Sequence, residues 1–347
     1  MPISSVPVLW DAAQLLHAPT QELSEGEFIP YPESPARAEA IRAALARAPW
    51  AAFQAPGPLD EALLLRVHDR DYAALIREAW AAWRAEGNAG DAMPGCWPAR
   101  GRRDLKPARI QARLGQASFD AGTPIMAHTA AAVEAAAAIG QSVGEKVASG
   151  APLAFGLCRP PGHHAGRDYM GGYSYFNSAA LAVEALRAAG VGRVAVLDVD
   201  YHQGNGTQDI FYERADVFFC SLHADPAYDF PYFWGCADER GAGAGLGATL
   251  NLPLPRGTDW GGYRPALMRG LEAIAAFRPE ALVVSYGADT HEADPISHFR
   301  LATADYRAMG ADIAGLGLPA GVIMEGGYAV EALGANVTAF LEGMGGR

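Results

Sequence analysis

The second half of the chain alternates short runs of consecutive apolar residues with longer stretches of helical spacing. Leu153 to Leu157, Arg193 to Leu197, Val217 to Leu222, Ala281 to Ser285 and Gly321 to Met324 are mainly apolar at successive positions, as expected of strands buried on both faces. Between them, Ser178 to Ala189 and Tyr263 to Phe277 have the spacing of amphipathic helices. Asn177 or Ser178 can cap the first of these helices, and Gly190 supplies its left-handed stop. This alternation predicts an α/β fold: a central parallel β-sheet with helices on both faces.

The first half reads as mostly helical. Ser34-Pro35 opens one helix, Leu59 to Glu86 holds one or two more, and Ile125 to Val143 another. Residues 87–123 are rich in Gly, Pro and Arg without clear periodicity, and a loop that long is usually functional or interfacial. No composition shift marks a linker, so residues 1–347 are expected to form a single domain, with 87–123 as a loop insertion.

Polar residues cluster where each apolar run ends, and in an open parallel sheet ligands bind beyond the carboxyl ends of the strands. The first run leads into Pro160-Pro161-Gly162-His163-His164 and the second into Asp198-Val199-Asp200-Tyr201-His202. The third ends in Ser221-Leu222-His223, the fourth leads to Gly287-Ala288-Asp289, and the fifth to Glu325-Gly326-Gly327-Tyr328. Adjacent imidazoles after a Pro-Pro-Gly turn suit a site with two proton-handling groups; a His-rich surface loop is the competing reading. The strand period of two through Asp198, Asp200 and His202 puts all three side chains on one face. Joined by Asp289, the set Asp200, His202 and Asp289 offers three ligands and open positions, the pattern of a catalytic zinc site, against the plainer reading of strand-end caps. Tyr328 on a Gly-Gly turn can donate to a developing oxyanion. Gly172 and Tyr173 stand near the His pair, where the phenol either walls a substrate channel or packs in the core.

Composition narrows the classes. Of 347 residues, half are apolar, yet no apolar stretch approaches the ~20 residues of a spanning helix, so no membrane role is expected. Acidic residues number 39 and basic residues 27, a formal net charge of −12, which argues against nucleic-acid binding and is compatible with a cationic substrate. The four cysteines are scattered and the first residues lack a secretory pattern, so a reduced, cytoplasmic protein is expected.

The motifs Pro160 to Gly166 (PPGHHAG), Gly171 to Asn177 (GGYSYFN), Asp198 to Gln208 (DVDYHQGNGTQ), Ser221 to His223 (SLH), Gly287 to Thr290 (GADT) and Glu325 to Tyr328 (EGGY) occur in the order found in the metal-dependent histone deacetylase superfamily. Within it the chain most resembles the bacterial acetylpolyamine amidohydrolases, and Glu22 to Arg37 and Asp209 to Arg214 extend the match. The resemblance implies an arginase-like α/β domain. It implies zinc, or iron(II), on Asp200, His202 and Asp289, with His164 as general base then acid and His163 as its electrostatic partner. Asp198 and Asn205 are implied as partners of the two imidazoles, and Tyr328 as the transition-state tyrosine. Structural potassium is implied at Asp198, Asp200, His202, Ser221 and Leu222, and a second ion at Phe211, Arg214 and Val217. The implied reaction is hydrolysis of the acetamide of a small cationic acetylated amine such as acetylputrescine or acetylcadaverine, and the implied assembly is a homodimer through residues 87–123, which also narrow the entrance.

Departures from the pattern bear on the substrate. Where relatives carry glutamates to meet a distal ammonium, this chain has Gln111 and Gly122; Glu22, Glu25 or Asp120 are the candidates to compensate. His291 follows Asp289 by two, at the channel, and with Asp294 raises the alternative of a second metal, as in ureohydrolases. Gln203 replaces a frequent second His and is expected to matter little. The remaining alternatives are a deacylase of acetyl-lysine or another amide, and a non-catalytic binder, disfavoured because every catalytic position is present.

Overall fold

The computed structural model describes residues 3–24, 26–99 and 105–346. In chain order the strands are β1 (Val6–Leu9), β2 (Gln21–Ser24), β3 (Glu27–Pro30), β4 (Ala51–Gln54), β5 (Leu153–Gly156), β6 (Val194–Asp198), β7 (Val217–Ala224), β8 (Thr249–Leu254), β9 (Ala281–Tyr286) and β10 (Ala320–Met324). The helices are α1 (Pro35–Leu45), α2 (Glu61–Val67), α3 (Arg70–Ala85), α4 (Ile110–Gln116), α5 (Thr129–Ala148), α6 (Ser178–Ala188), α7 (Asn205–Phe211), α8 (Trp260–Phe277), α9 (Thr303–Ala314) and α10 (Val330–Met344).

Among the described residues eight strands form one sheet in the order β4-β1-β5-β10-β9-β6-β7-β8, every neighbour parallel; β2 and β3 form a separate antiparallel hairpin. Alternate residues of β6 feed two cores: Ala195 and Leu197 face one with α1, α8, α9 and α10, and Val194 and Val196 face the other with α2 to α6. This is the predicted architecture, and it explains why the inner strands read as unbroken apolar runs. No helix among the described residues is long and apolar enough to cross a membrane.

The first half is less purely helical than its spacing predicts. β1 and β4 lie at one sheet edge, and four residues with mixed exposure give too short a pattern to read. At the other edge β8 contains Pro253, tolerated where a ladder donor is not needed. The helix predicted from Ile125 begins at Thr129, because Ile125 pairs with Ala92 in an antiparallel bridge. It continues past Val143, where Gly140 and Gly144 let α5 meet α6: a Cβ on either would lie 2.3 Å from the carbonyl oxygen of Ser178 or Ala182. α6 starts and stops as predicted, with Asn177 Oδ1 accepting from Ala180 N at 2.9 Å and Gly190 at φ +96°.

A buried imidazole braces the loop carrying the His pair. His68 Nδ1 donates to the Gly166 carbonyl at 2.8 Å, and Nε2 accepts from Asn177 N at 2.9 Å, so the ring is neutral. Burial pushes His68 down to about 3, and His17, equally enclosed, also to about 3. The unfolded chain therefore takes up these protons first as pH falls. Their stabilisation is complete above about pH 6.5 and shrinks towards pH 3, at about 1.4 kcal/mol per unit of depression. Urea unfolding at pH 7 and pH 4.5 should show this loss, and His68→Gln should flatten it; an unchanged slope in the variant would contradict the assignment.

Candidate active site

The carboxyl ends of β5, β10, β9, β6 and β7, five adjacent strands, bring the sequence-selected groups together. β6 stops at Asp198, so strand alternation does not present Asp200 and His202, contrary to the sequence expectation. Two successive side-chain-to-backbone turns do so instead: Asp198 Oδ1 accepts from Asp200 N at 3.1 Å, and Asp200 Oδ1 accepts from His202 N at 2.9 Å. Asp289 Oδ1 fastens the same bend by accepting from Tyr201 N at 2.9 Å.

Asp200, His202 and Asp289 each offer a ligand atom within 4.8 Å of the others. His202 Nδ1 lies 3.0 Å from Asp289 Oδ2 and 3.3 Å from Asp200 Oδ1. Both carboxylates are fully buried. Burial and then the Asp200 charge push Asp289 upwards, as expected of two carboxylates enclosed together. Two hard oxygens and one imidazole fit a divalent first-row metal.

The two imidazoles beside this group differ in charge. Their ring centroids are 4.0 Å apart, and that of His164 is 6.1 Å from His202. Burial alone would depress His163, but the carboxylates of Asp200 and Asp198 outweigh it and lift it to about 10; Asp198 Oδ2 lies 3.0 Å from Nδ1. His164 is held well below its ordinary value by burial and then by the charges on His163 and His202. Its Nδ1 faces Asn205 Oδ1 at 2.7 Å, a neutral partner, which leaves Nε2 as the basic nitrogen.

Tyr328 sits on the turn beyond β10, its ring 5.7 Å from that of Tyr173 and its face 4.7 Å from the Arg37 guanidinium. Burial raises its phenol far above the ordinary value, so it remains a donor. Tyr173 donates to Glu22 Oε1 at 3.0 Å, which joins Glu22, Tyr173 and Tyr328 in one wall. Burial pushes Glu22 up to about 7 and Asp120 to about 6. Asp120 spends its oxygens on Gly172 N at 2.7 Å and Gly122 N at 3.1 Å; Glu25 lies outside the described residues. Gln111 packs against Gly95.

Gly172 has φ +52°, and a Cβ there would come within 2.3 Å of His164 Cδ2. Gly172→Ala should therefore displace the imidazole and lower kcat by about 100-fold. Steady-state rates beside a melting curve check this, and an unchanged kcat would show that the ring position is not used.

His291 is buried two residues beyond Asp289. It stacks on Tyr306 at 6.3 Å, and its Nδ1 accepts from Ala293 N at 3.2 Å. Asp294 accepts from Tyr328 N at 2.7 Å and Ile296 N at 3.1 Å, so it serves as a backbone clamp. Among the described residues Asp200, His202 and Asp289 form the one group with metal-ligand spacing. Ser221 pairs in register with Asp198 across β6 and β7, and its Oγ lies 2.8 Å from His223 Nδ1. Leu222 follows in the core, while Phe211, Arg214 and Val217 surround the α7–β7 connection, where Arg214 N donates to the Phe211 carbonyl at 2.9 Å. Gln203 Nε2 donates to Gln208 Oε1 at 2.7 Å.

Sequence reasoning missed the aromatic collar. Phe230 lies edge-on to His164 at 5.1 Å and His202 at 6.0 Å, and Phe119 stacks on it at 5.6 Å. The dense aromatic stretch Tyr228 to Trp234 was the available signal. It also missed Arg37, fully buried, whose Nε donates to the Gly327 carbonyl at 2.6 Å while Nη1 pairs with Glu33 at 2.7 Å.

Comparison with known proteins places this geometry. Residues 31–344 match the histone deacetylase domain. Acetylpolyamine amidohydrolase 2 of Pseudomonas aeruginosa is 46% identical, with 95% of this chain and 96% of that protein covered. The acetylpolyamine amidohydrolase of Mycoplana ramosa is 45% identical over 94% of this chain and 95% of its own. The crystal structure of an acetylpolyamine aminohydrolase from Burkholderia pseudomallei superposes with a TM-score of 0.94 at 37% identity, covering 98% of this chain and 99% of that one. The chain therefore belongs to the histone deacetylase domain family.

Proposed function

We propose that this chain is a metal-dependent amidohydrolase that removes acetyl groups from small cationic acetylated amines, giving acetate and the free amine. The observation that carries the reading is the Asp200–His202–Asp289 group beside two imidazoles, one facing Asp198 and one facing Asn205, with the Tyr328 phenol on the adjoining turn. The family implies a catalytic metal, typically zinc, and the donor set fits it; we assign zinc to these three residues, with iron(II) as the alternative. When bound, such an ion supplies Lewis acidity to the acetyl carbonyl and lowers the pKa of water.

The chain's own groups do the rest. Tyr328 donates to the oxygen that gains charge as the carbonyl is attacked. His164, neutral, takes the proton of the attacking water at Nε2 and returns one to the leaving nitrogen. His163, held charged by Asp198, adds positive potential at the developing negative charge. Tyr173 and the aromatic collar enclose a slender acyl amine, and Glu22 stands at the wall to meet a distal ammonium in place of the glutamates that Gln111 and Gly122 lack. We assign potassium to the Asp198–Ser221 neighbourhood and to the Phe211–Arg214–Val217 bend as structural support. The exposed Trp97 and Leu105 favour residues 87–123 as a homodimer contact.

Titrating metal-stripped protein with zinc tests the central assignment. Acetylputrescine hydrolysis should saturate at one ion per chain, and Asp289→Ala should abolish both binding and turnover. Saturation at two would favour a ureohydrolase-like centre.

A further inference from the structure

Pairing between β5 and β10 ends at Gly156 and Ile323, and beyond it the two chains part towards their separate tasks. One leads to the His pair, the other to Tyr328. Glu325 lies fully buried in the gap. Its Oε2 accepts from Gly162 N at 2.7 Å and from His163 N at 3.1 Å, two successive donors of the histidine loop. Its own backbone is fixed: N donates to the Tyr286 carbonyl at 2.8 Å, and its carbonyl accepts from Arg37 Nη2 at 2.6 Å. The residues after it are held as firmly, by Gly326 N to Asp200 Oδ2 at 2.8 Å, Gly327 O to Arg37 and Tyr328 N to Asp294. Gly162 has little room to move, since a Cβ there would lie 2.7 Å from Phe176 O and Ser178 N.

Oε1 of Glu325 is buried with no hydrogen-bond partner among the described residues. A half-satisfied carboxyl in the interior is a poor device for stability, and such groups call for a separate explanation. Here the occupied oxygen joins the two moving parts of the proposed chemistry.

We propose that Glu325 is a positioning residue that locks the His163–His164 loop to the Tyr328 turn, fixing the proton-handling imidazole relative to the oxyanion donor. The inference rests on the amidohydrolase reading for its kinetic readout, but not for its structural one. The link requires an acceptor oxygen at glutamate length, not a charge. Glutamine keeps that oxygen; aspartate keeps the charge but is about 1.5 Å too short to reach both donors.

The test compares E325Q, E325D and E325A, zinc-loaded, with acetylputrescine, together with amide proton shifts of Gly162 and His163 in loaded and metal-free protein. E325D and E325A should lose about 100-fold in kcat with KM within about threefold, and both amides should move upfield. E325Q should recover most of the rate and hold the amide positions. E325D outperforming E325Q would overturn the proposal in favour of a charge effect, and parental kcat in all three would overturn it outright. Should E325A fail to fold, the Gln–Asp order still decides. If the parent enzyme does not hydrolyse acetylputrescine, the functional reading fails while the amide shifts still report the link.

Discussion

Replacing His164 by alanine is expected to lower kcat by about 10²- to 10⁴-fold while the protein binds metal at the parent ratio. The expectation follows from the unequal settings of the paired rings. His163 faces the carboxylate of Asp198 and sits near that of Asp200, so it keeps its proton and has no lone pair to offer. His164 is buried, faces the neutral amide of Asn205 and lies beside the charged ring of His163, so it stays unprotonated with Nε2 available. It is not among the three groups with metal-ligand spacing, so its removal leaves that cluster whole. Metal analysis beside initial rates checks both halves. Loss of metal in the variant would assign His164 to the ligand set instead.

The site's residue types were legible because chemistry concentrates polar groups at the ends of apolar runs. Asp200, His202, Asp289 and Tyr328 lie within four residues of a strand that the sequence announces, and His163 within seven. What was not legible depends on contacts between distant segments. The bend that presents Asp200 and His202 is made by carboxylates accepting from the backbone two residues on, and strand period gave the wrong reason for their convergence. Arg37 opens a helix 290 positions before the Gly327 carbonyl it grips, a contact that no local spacing can show. β1, β4 and β8 escaped because they are short or at an edge and mixed in exposure, which leaves weak periodicity, whereas β6 and β9, buried on both faces, could be placed almost to the residue.

Tyr328→Phe is expected to cost about 100- to 1,000-fold in kcat with little change in KM, as for the loss of one oxyanion donor. The ring itself should keep its place, because its position depends on contacts that phenylalanine retains: Asp294 accepting from the backbone nitrogen, Arg37 over the face, and Tyr173 at the edge. The deleted hydroxyl is buried and stays protonated throughout the working range, so the loss should be nearly independent of pH. A parental rate would mean that the charge developing on the carbonyl oxygen is balanced elsewhere, and a large rise in KM would mean that the phenol serves ground-state binding.

The central claim is that this family site serves a small acetylated cation. The most direct measurement is kcat/KM for acetate release by zinc-loaded protein from acetylputrescine, acetylcadaverine, longer acetylated polyamines and an acetyl-lysine peptide under one set of conditions. The account predicts efficient release from the acetylated diamines and a clear disadvantage for the peptide, which the walls of Tyr173, Phe119 and Phe230 admit poorly. A peptide preference would contradict the substrate assignment, and no acetate from any of these amines would contradict the account as a whole.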